Sequence, residues 1–247
     1  MTAKLDAEWR KLTSTRTFYW LLIGAGAVAA VSAFSTTSAT TQPPWHMDVP
    51  LHEQMVWVLA AMNGSIFAIV IGSRAFTDEF RHNTIAHTYI ADPKRSLSTI
   101  AKAGAAAAAG LLVGAVTVAG VVLVSLIMAA TSRGEIALHA SDLAATAGLV
   151  GAMALWATVG AALGAIVRNQ VAVVAGGLIW ILMLENLGAG LLEERARYLP
   201  GQTVHAMART SEAVDLLASG PAALLMATYA ALLITAAMAM TKRRDVN

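Results

Sequence analysis

Charge along this chain comes in bands. Six segments, 18–35, 55–73, 103–130, 144–167, 171–184 and 216–240, contain no Asp, Glu, Lys or Arg. All 17 Lys+Arg and all 15 Asp+Glu lie between them. A soluble helix carries charge along its outer face, and a soluble domain is about 25% charged overall. This chain is 13% charged, so a soluble globular fold is excluded. Five of the segments are long enough to cross a hydrocarbon core of about 30 Å, which takes roughly 20 helical residues. The segment 171–184 is short and spans only if 168–170 lie at one interface and Glu185 at the other. In lipid the backbone must satisfy its own hydrogen bonds, which leaves helices or a closed barrel. Unbroken apolar runs such as 105–109 and 121–124 lack the alternation of barrel strands. The expected fold is an all-α integral membrane protein, one transmembrane domain over 1–247. Its six transmembrane helices are expected at about 17–35, 55–73, 101–130, 143–167, 169–190 and 216–240.

Orientation follows from the basic residues of the connectors. With the N-terminus inside, the inner connectors hold 13 Lys and Arg, among them Lys4, Arg74, Lys102, Arg168 and Lys242. The outer ones hold four, Arg133, Arg195, Arg197 and Arg209. Both termini are therefore expected in the cytoplasm, in a multi-pass plasma membrane protein. Residues 3–16 place Leu5, Trp9 and Leu12 at i, i+4 and i+7, with Lys4, Arg10 and Lys11 elsewhere on the wheel. This predicts an amphipathic helix in the inner interface. Val31-Ser32-Ala33 imitates a cleavage site, but the charged, periodic leader before it predicts retention. The inner connector 74–100 is far longer than a turn needs. Thr77 and Asp78 suit a helix start and Pro93 a helix stop, which predicts a short cytoplasmic helix from about 78 to 90. The outer region 185–215 is half apolar and interrupted by Gly188, Gly190, Pro200 and Gly201, which predicts re-entrant half-helices.

Several chemistries are excluded. Without cysteine there is no disulfide, thiolate metal site or thiol nucleophile. No phosphate-binding loop occurs, so any ATP must bind another polypeptide. The six histidines lie in connectors and form no ligand pair, so no metal is expected. Gly24-Ala25-Gly26 imitates a dinucleotide fingerprint but sits inside an apolar span, where no βαβ unit can form. Glu193-Glu194 lacks the arginine spacing and the intramembrane histidines of a membrane protease. The pairs Gly110/Gly114 and Gly160/Gly164 permit close helix approach, read here as internal packing. Asn63 is the most polar side chain within a span and must face protein or a cavity. With Phe67, Glu185 and Asn186 it outlines a possible substrate path, Glu185 being placed at the interface.

The leader from Glu8-Trp9-Arg10-Lys11 to Arg16, and the connector Glu79-Phe80-Arg81-His82-Asn83-Thr84-Ile85 closing with Asp92-Pro93-Lys94-Arg95, resemble the permease subunits of ABC type-2 exporters. The resemblance implies an ATP-driven exporter subunit with no catalytic residues and no cofactor of its own, ATP and Mg residing on a separate nucleotide-binding ATPase subunit. It further implies a second permease copy or paralogue. The connector helix would be the coupling helix seated in the ATPase, through Asp78, Glu79, Phe80, Arg81, Thr84, Pro93, Lys94 and Arg95. The mostly apolar interior suits an amphipathic or lipophilic cargo such as a drug, peptide or lipid. The competing expectation is an ATP-independent secondary carrier or channel-like protein. It is disfavoured because such carriers keep ionisable residues inside their spans, where the sequence places none.

Overall fold

The computed structural model describes residues 2–39, 50–91, 95–132, 140–208 and 216–243. Among them there is no strand. Ten α-helices follow one another: α1 Thr2–Thr13, α2 Arg16–Ala39, α3 Pro50–Arg81, α4 Ile85–Ala91, α5 Arg95–Ser132, α6 Ala140–Val167, α7 Gln170–Ile179, α8 Glu185–Leu192, α9 Pro200–Ala208 and α10 Ser219–Arg243. A π turn, Trp180–Leu184, joins α7 to α8, and a 3-10 segment, Glu193–Tyr198, follows α8.

Among the described residues, five stretches are long and apolar enough to cross a membrane: Arg16–Ser35, Arg95–Ile127, Leu143–Val167, Gln170–Tyr198 and Ser219–Lys242. The chain is thus read as a multi-pass membrane protein. The expected second span, 55–73, falls within α3, and residues 55–62 lie outside the described side chains.

The bundle is organised around α6, which touches α3, α5, α9 and α10. Small residues make this possible. A Cβ on Gly72 or Gly160 would collide with the backbone of Ala157 or Ile69, and one on Gly164 would stand 2.6 Å from Ser73 O. These three glycines seam α3 to α6. Gly110 and Gly114 of α5 meet the other side of α6, at Met153 and Val150. Both small-residue pairs noted in the sequence are therefore internal seams. The core is filled by Phe18, Ile69, Leu149, Met153, Trp156 and Met226. A second cluster around Phe76, Ala105, Ala106 and Ala161 fills the end where α1 docks. Large apolar side chains such as Trp20, Val31, Leu123, Leu224 and Leu232 point outward, as expected of surfaces meeting lipid rather than water.

Two boundaries correct the sequence reading. No helix runs from 78 to 90. Instead α3 continues through Thr77, Asp78 and Glu79 to Arg81, breaks at 82–84, and α4 begins at Ile85. Thr77 caps nothing; its hydroxyl donates to Ser73 O within the helix. The break is made by Asn83, whose φ of 54° lies in the left-handed region that Asn tolerates better than most residues. The second correction concerns α1, which ends at Thr13 rather than 16, with α2 starting at Arg16. Pro93 and Lys94, like most of the outer loop 36–54, lie outside the described residues.

Candidate functional site

Two sites emerge, one at the charged end of the bundle and one where the fifth span breaks.

The first is a buried ion cluster. Glu8 sits three residues after Leu5 and four before Leu12. In a helix that spacing puts the carboxylate on the apolar stripe, so docking α1 onto α5 buries it. Leu12 is buried, Leu5 reaches Gly104, and Trp9 meets Phe18 edge-on at 6.2 Å. Lys102, at the root of α5, is fully buried. Its Nζ donates to Glu8 Oε2 at 2.7 Å and to Glu79 Oε1 at 2.5 Å, and stands 5.5 Å from the centre of the Phe76 ring. Lys11 closes the cluster from the rim, donating to Glu8 Oε1 at 2.9 Å and Glu79 Oε1 at 2.8 Å. Thr88 of α4 donates to Glu79 Oε2 at 3.2 Å. One carboxylate thus ties α1, α3, α4 and α5 together.

The electrostatics agree with that arrangement. Burial pushes the Glu79 carboxyl up, but Lys102 and then Lys11 outweigh it and hold its pKa below the usual carboxylate value. For Lys11, burial pulls down, yet the hydrogen bonds it donates to Glu79 and Glu8 leave it raised. Two acids and two bases balance within one shell, the condition under which burying ions is tolerable.

This placement revises the expected partner contacts. Glu79 is consumed inside the protein. Asp78 pairs with Arg74 at 2.8 Å, and Arg74 also donates to Thr15 Oγ1 at 3.2 Å. Phe80 is half buried, its ring 4.9 Å from the Arg168 guanidinium. Arg95 donates to Thr241 O at 3.0 Å, covering the end of α10. Only Arg81 and Thr84 of the described expected contacts are exposed, joined by His82, Asn83 and Ile90, the last 78% exposed. The leader residues divide likewise: Lys11 and Leu12 serve the cluster and its packing, while Arg10 faces out and pairs with Asp6 at 3.0 Å.

The second site forms where the fifth span ends. The π turn is closed by the Glu185 N–H donating to Trp180 O. The chain then reverses through Glu193, whose φ is 46°, and α9 folds back against α3, α6 and α10. Glu185 was expected at the interface. It is instead buried, at 6% exposure, because its Oε1 accepts from Gly201 N at 2.8 Å and Gln202 N at 3.1 Å. The carboxylate therefore takes up two backbone donors of the first turn of α9, which no helix bond can satisfy. A Cβ on Gly201 would fall 2.6 Å from the Glu185 carboxyl carbon, so a larger residue there would displace the carboxylate.

Glu185 Oε2 and Trp156 Nε1 are both buried with no hydrogen-bond partner among the described residues. The Trp180 side chain also lies within hydrogen-bonding reach of the Glu185 carboxylate. A small chamber of about 30 Å³ is lined by Glu185, Asn186, Ser65, Trp156, Gln202 and His205, with no Lys or Arg on its wall. Burial lowers the His205 pKa to about 4, so this imidazole is neutral. Beside the chamber lies a groove of about 460 Å³, walled by Ile69, Trp156, Leu163, Val173, Trp180 and Met226 with Tyr229 at its side. Of the expected substrate path, the structure brings Glu185 and Asn186 together. Asn63 and Phe67 lie elsewhere: Asn63 donates to Ser32 Oγ at 2.9 Å, joining α3 to α2, and Phe67 packs near Gly24. Among the described residues no cluster of His, Asp or Glu could hold a metal.

No protein-family model matches this chain, and no curated protein matches it.

Proposed function

We propose that this chain is the membrane-spanning permease subunit of an ATP-driven exporter of the ABC type-2 kind. It would cross the plasma membrane six times with both termini in the cytoplasm. It would work beside a second permease copy or paralogue and a separate ATPase subunit that holds ATP and Mg.

The observation that carries this reading is the short helix α4. It stands off the bundle beyond a left-handed break, with Ile90 bare, while its root is fixed through Thr88 and Glu79 to Lys102. A partner pushing on α4 would move α1, α3 and α5 as one body. That is what a lever between an ATPase and transmembrane helices requires, because interior packing transmits displacement instead of absorbing it. The partner-facing surface then consists of Arg81, His82, Asn83, Thr84 and Ile90, and Glu79 acts as the joint.

The test is purification of the chain from its native membrane in mild detergent, with identification of any P-loop ATPase that accompanies it. Ile90→Asp should leave folding unchanged and cut association with the ATPase roughly tenfold or more. Undiminished association and transport would refute the reading, as would labelling of α4 from outside intact cells by an impermeant reagent.

A second reading, an ATP-independent carrier, gains from Glu185. A buried carboxylate within a candidate span is the kind of group that ion-coupled carriers use. Uptake into vesicles driven by a proton gradient without nucleotide, lost in Glu185→Gln, would favour it.

A further inference from the structure

We propose that the chamber and groove beside α9 form one binding site for a single-chain amphiphile whose head is a primary ammonium. This rests on the exporter reading for its role, since it names the class of cargo, but the binding itself belongs to this chain alone.

The head is specified by the orphaned atoms. Glu185 Oε2 is buried and accepts no hydrogen bond within the described structure; the neutral Trp180 side chain lies near the carboxyl group, but the chamber wall supplies no Lys or Arg to balance its charge. Leaving such an oxygen unpaired is costly, so a ligand that donates to it gains the difference. An ammonium donates and supplies the opposite charge. Trp156 Nε1, the second orphan, is a donor and would take a hydroxyl oxygen carried next to the amine. Size narrows the choice. A chamber of about 30 Å³ admits one or two water-sized groups. A primary ammonium fits, whereas a trimethylammonium does not.

The tail is specified by the groove. Its volume of about 460 Å³ is walled almost wholly by hydrocarbon and aromatic side chains, in the range of ordinary ligand sites. Groove and chamber meet at Trp156, which lines both, and at the step from Pro200 to Gly201, which line one each. A chain lying along α7 and α10 thus brings its head to Glu185. Gly176 sits on the groove wall with open space beside it, so a larger side chain there would occupy the tail position without disturbing the fold.

The test uses the full chain in phosphatidylcholine nanodiscs and a tetradecylamine bearing a photoactivatable group on its chain. Crosslinks should map to α7 and α10. Unlabelled tetradecylamine should compete, while tetradecyltrimethylammonium, which partitions into the same bilayer with the same charge, and tetradecanoate should not. Glu185→Gln keeps the acceptor for Gly201 and Gln202 and should lower competed labelling about tenfold, the loss of one charge-assisted bond. Gly176→Leu should abolish it while leaving Glu185 untouched. If Glu185→Gln fails to fold, Gly176→Leu and the competitors still decide. Labelling that both ammonium heads compete equally, that survives Gly176→Leu, or that spreads over α2 would overturn the proposal. Such a result beside a captured ATPase leaves the exporter reading standing; specific binding without any ATPase does the reverse.

Discussion

Replacing Lys102 with methionine removes the centre of the ion cluster while nearly preserving its volume. Glu8 and Glu79, whose side chains are 10% and 9% exposed, then share Lys11 alone. Breaking a buried pair by deleting one partner costs about 3–5 kcal/mol, mostly the penalty of an uncompensated charge. Lys11 already contacts both carboxylates but is 49% exposed, so it recovers a part, which puts the loss near the lower figure. At about 3 kcal/mol, the unfolding midpoint of a chain this long should fall by roughly 6–12 °C. The damage should be local first. Because Glu8 is held by Lys102, α1 should become cleavable by trypsin at Arg10 and Lys11 before the bundle melts. Adding Glu79→Gln to Lys102→Met leaves Glu8 opposite Lys11 and restores charge balance, so the double variant should be more stable than Lys102→Met alone. The deficit of the single variant should also shrink in acid, where a proton neutralises the excess carboxylate. Thermal melts in one detergent, with timed proteolysis, measure all of this. A Lys102→Met protein that melts within about 2 °C of the parent, or that Glu79→Gln further destabilises, would refute the reasoning.

The same cluster sets a pH response. The pKa of Glu79 is lowered on folding from an ordinary 4.5, so its stabilisation is complete above that value and is lost as pH falls through the folded pKa. Pepsin should therefore release α1 increasingly below about pH 4.5. Lys11 has the opposite sign. Its raised pKa gives a contribution complete below 10.5 and lost as pH rises through the folded value, and exposure keeps it small. The helix seams give a contrast of sites: Gly72→Ala meets the Ala157 backbone and should cost about 3 kcal/mol. Gly176→Ala meets open space and should be neutral or stabilising by up to about 1 kcal/mol. Equal melting temperatures for the two would show that the α3–α6 seam is not as tight as described.

How far the sequence speaks depends on the distance over which a signal acts. Helical spans are local: a run such as 103–130 needs no partner to declare itself, and α5 follows from it. The amphipathic leader was legible for the same reason. The ion cluster was not, because it pairs Glu8 with Lys102 across 94 residues. One sign was available, a carboxylate on the apolar stripe between Leu5 and Leu12. The helix break was misplaced because Thr77 and Asp78 have the chemistry of a cap, and only the packing of Phe76 and Glu79 against α5 decides that α3 continues past them. Glu185 was misjudged for a similar reason. Its insertion cost is offset by the N–H groups of Gly201 and Gln202, which reach it only after the chain reverses.

The π turn at Trp180–Leu184 has a consequence for anyone altering this segment. A wide turn shifts the angular phase of every residue that follows. Straightening it into ordinary α winding, with every residue kept, would rotate Glu185 by about 100°, out of its present phase toward Gly201 and Gln202. Substitutions that straightened this turn would thus change the chemistry of the site more than most substitutions on its walls, although every lining residue would still be present.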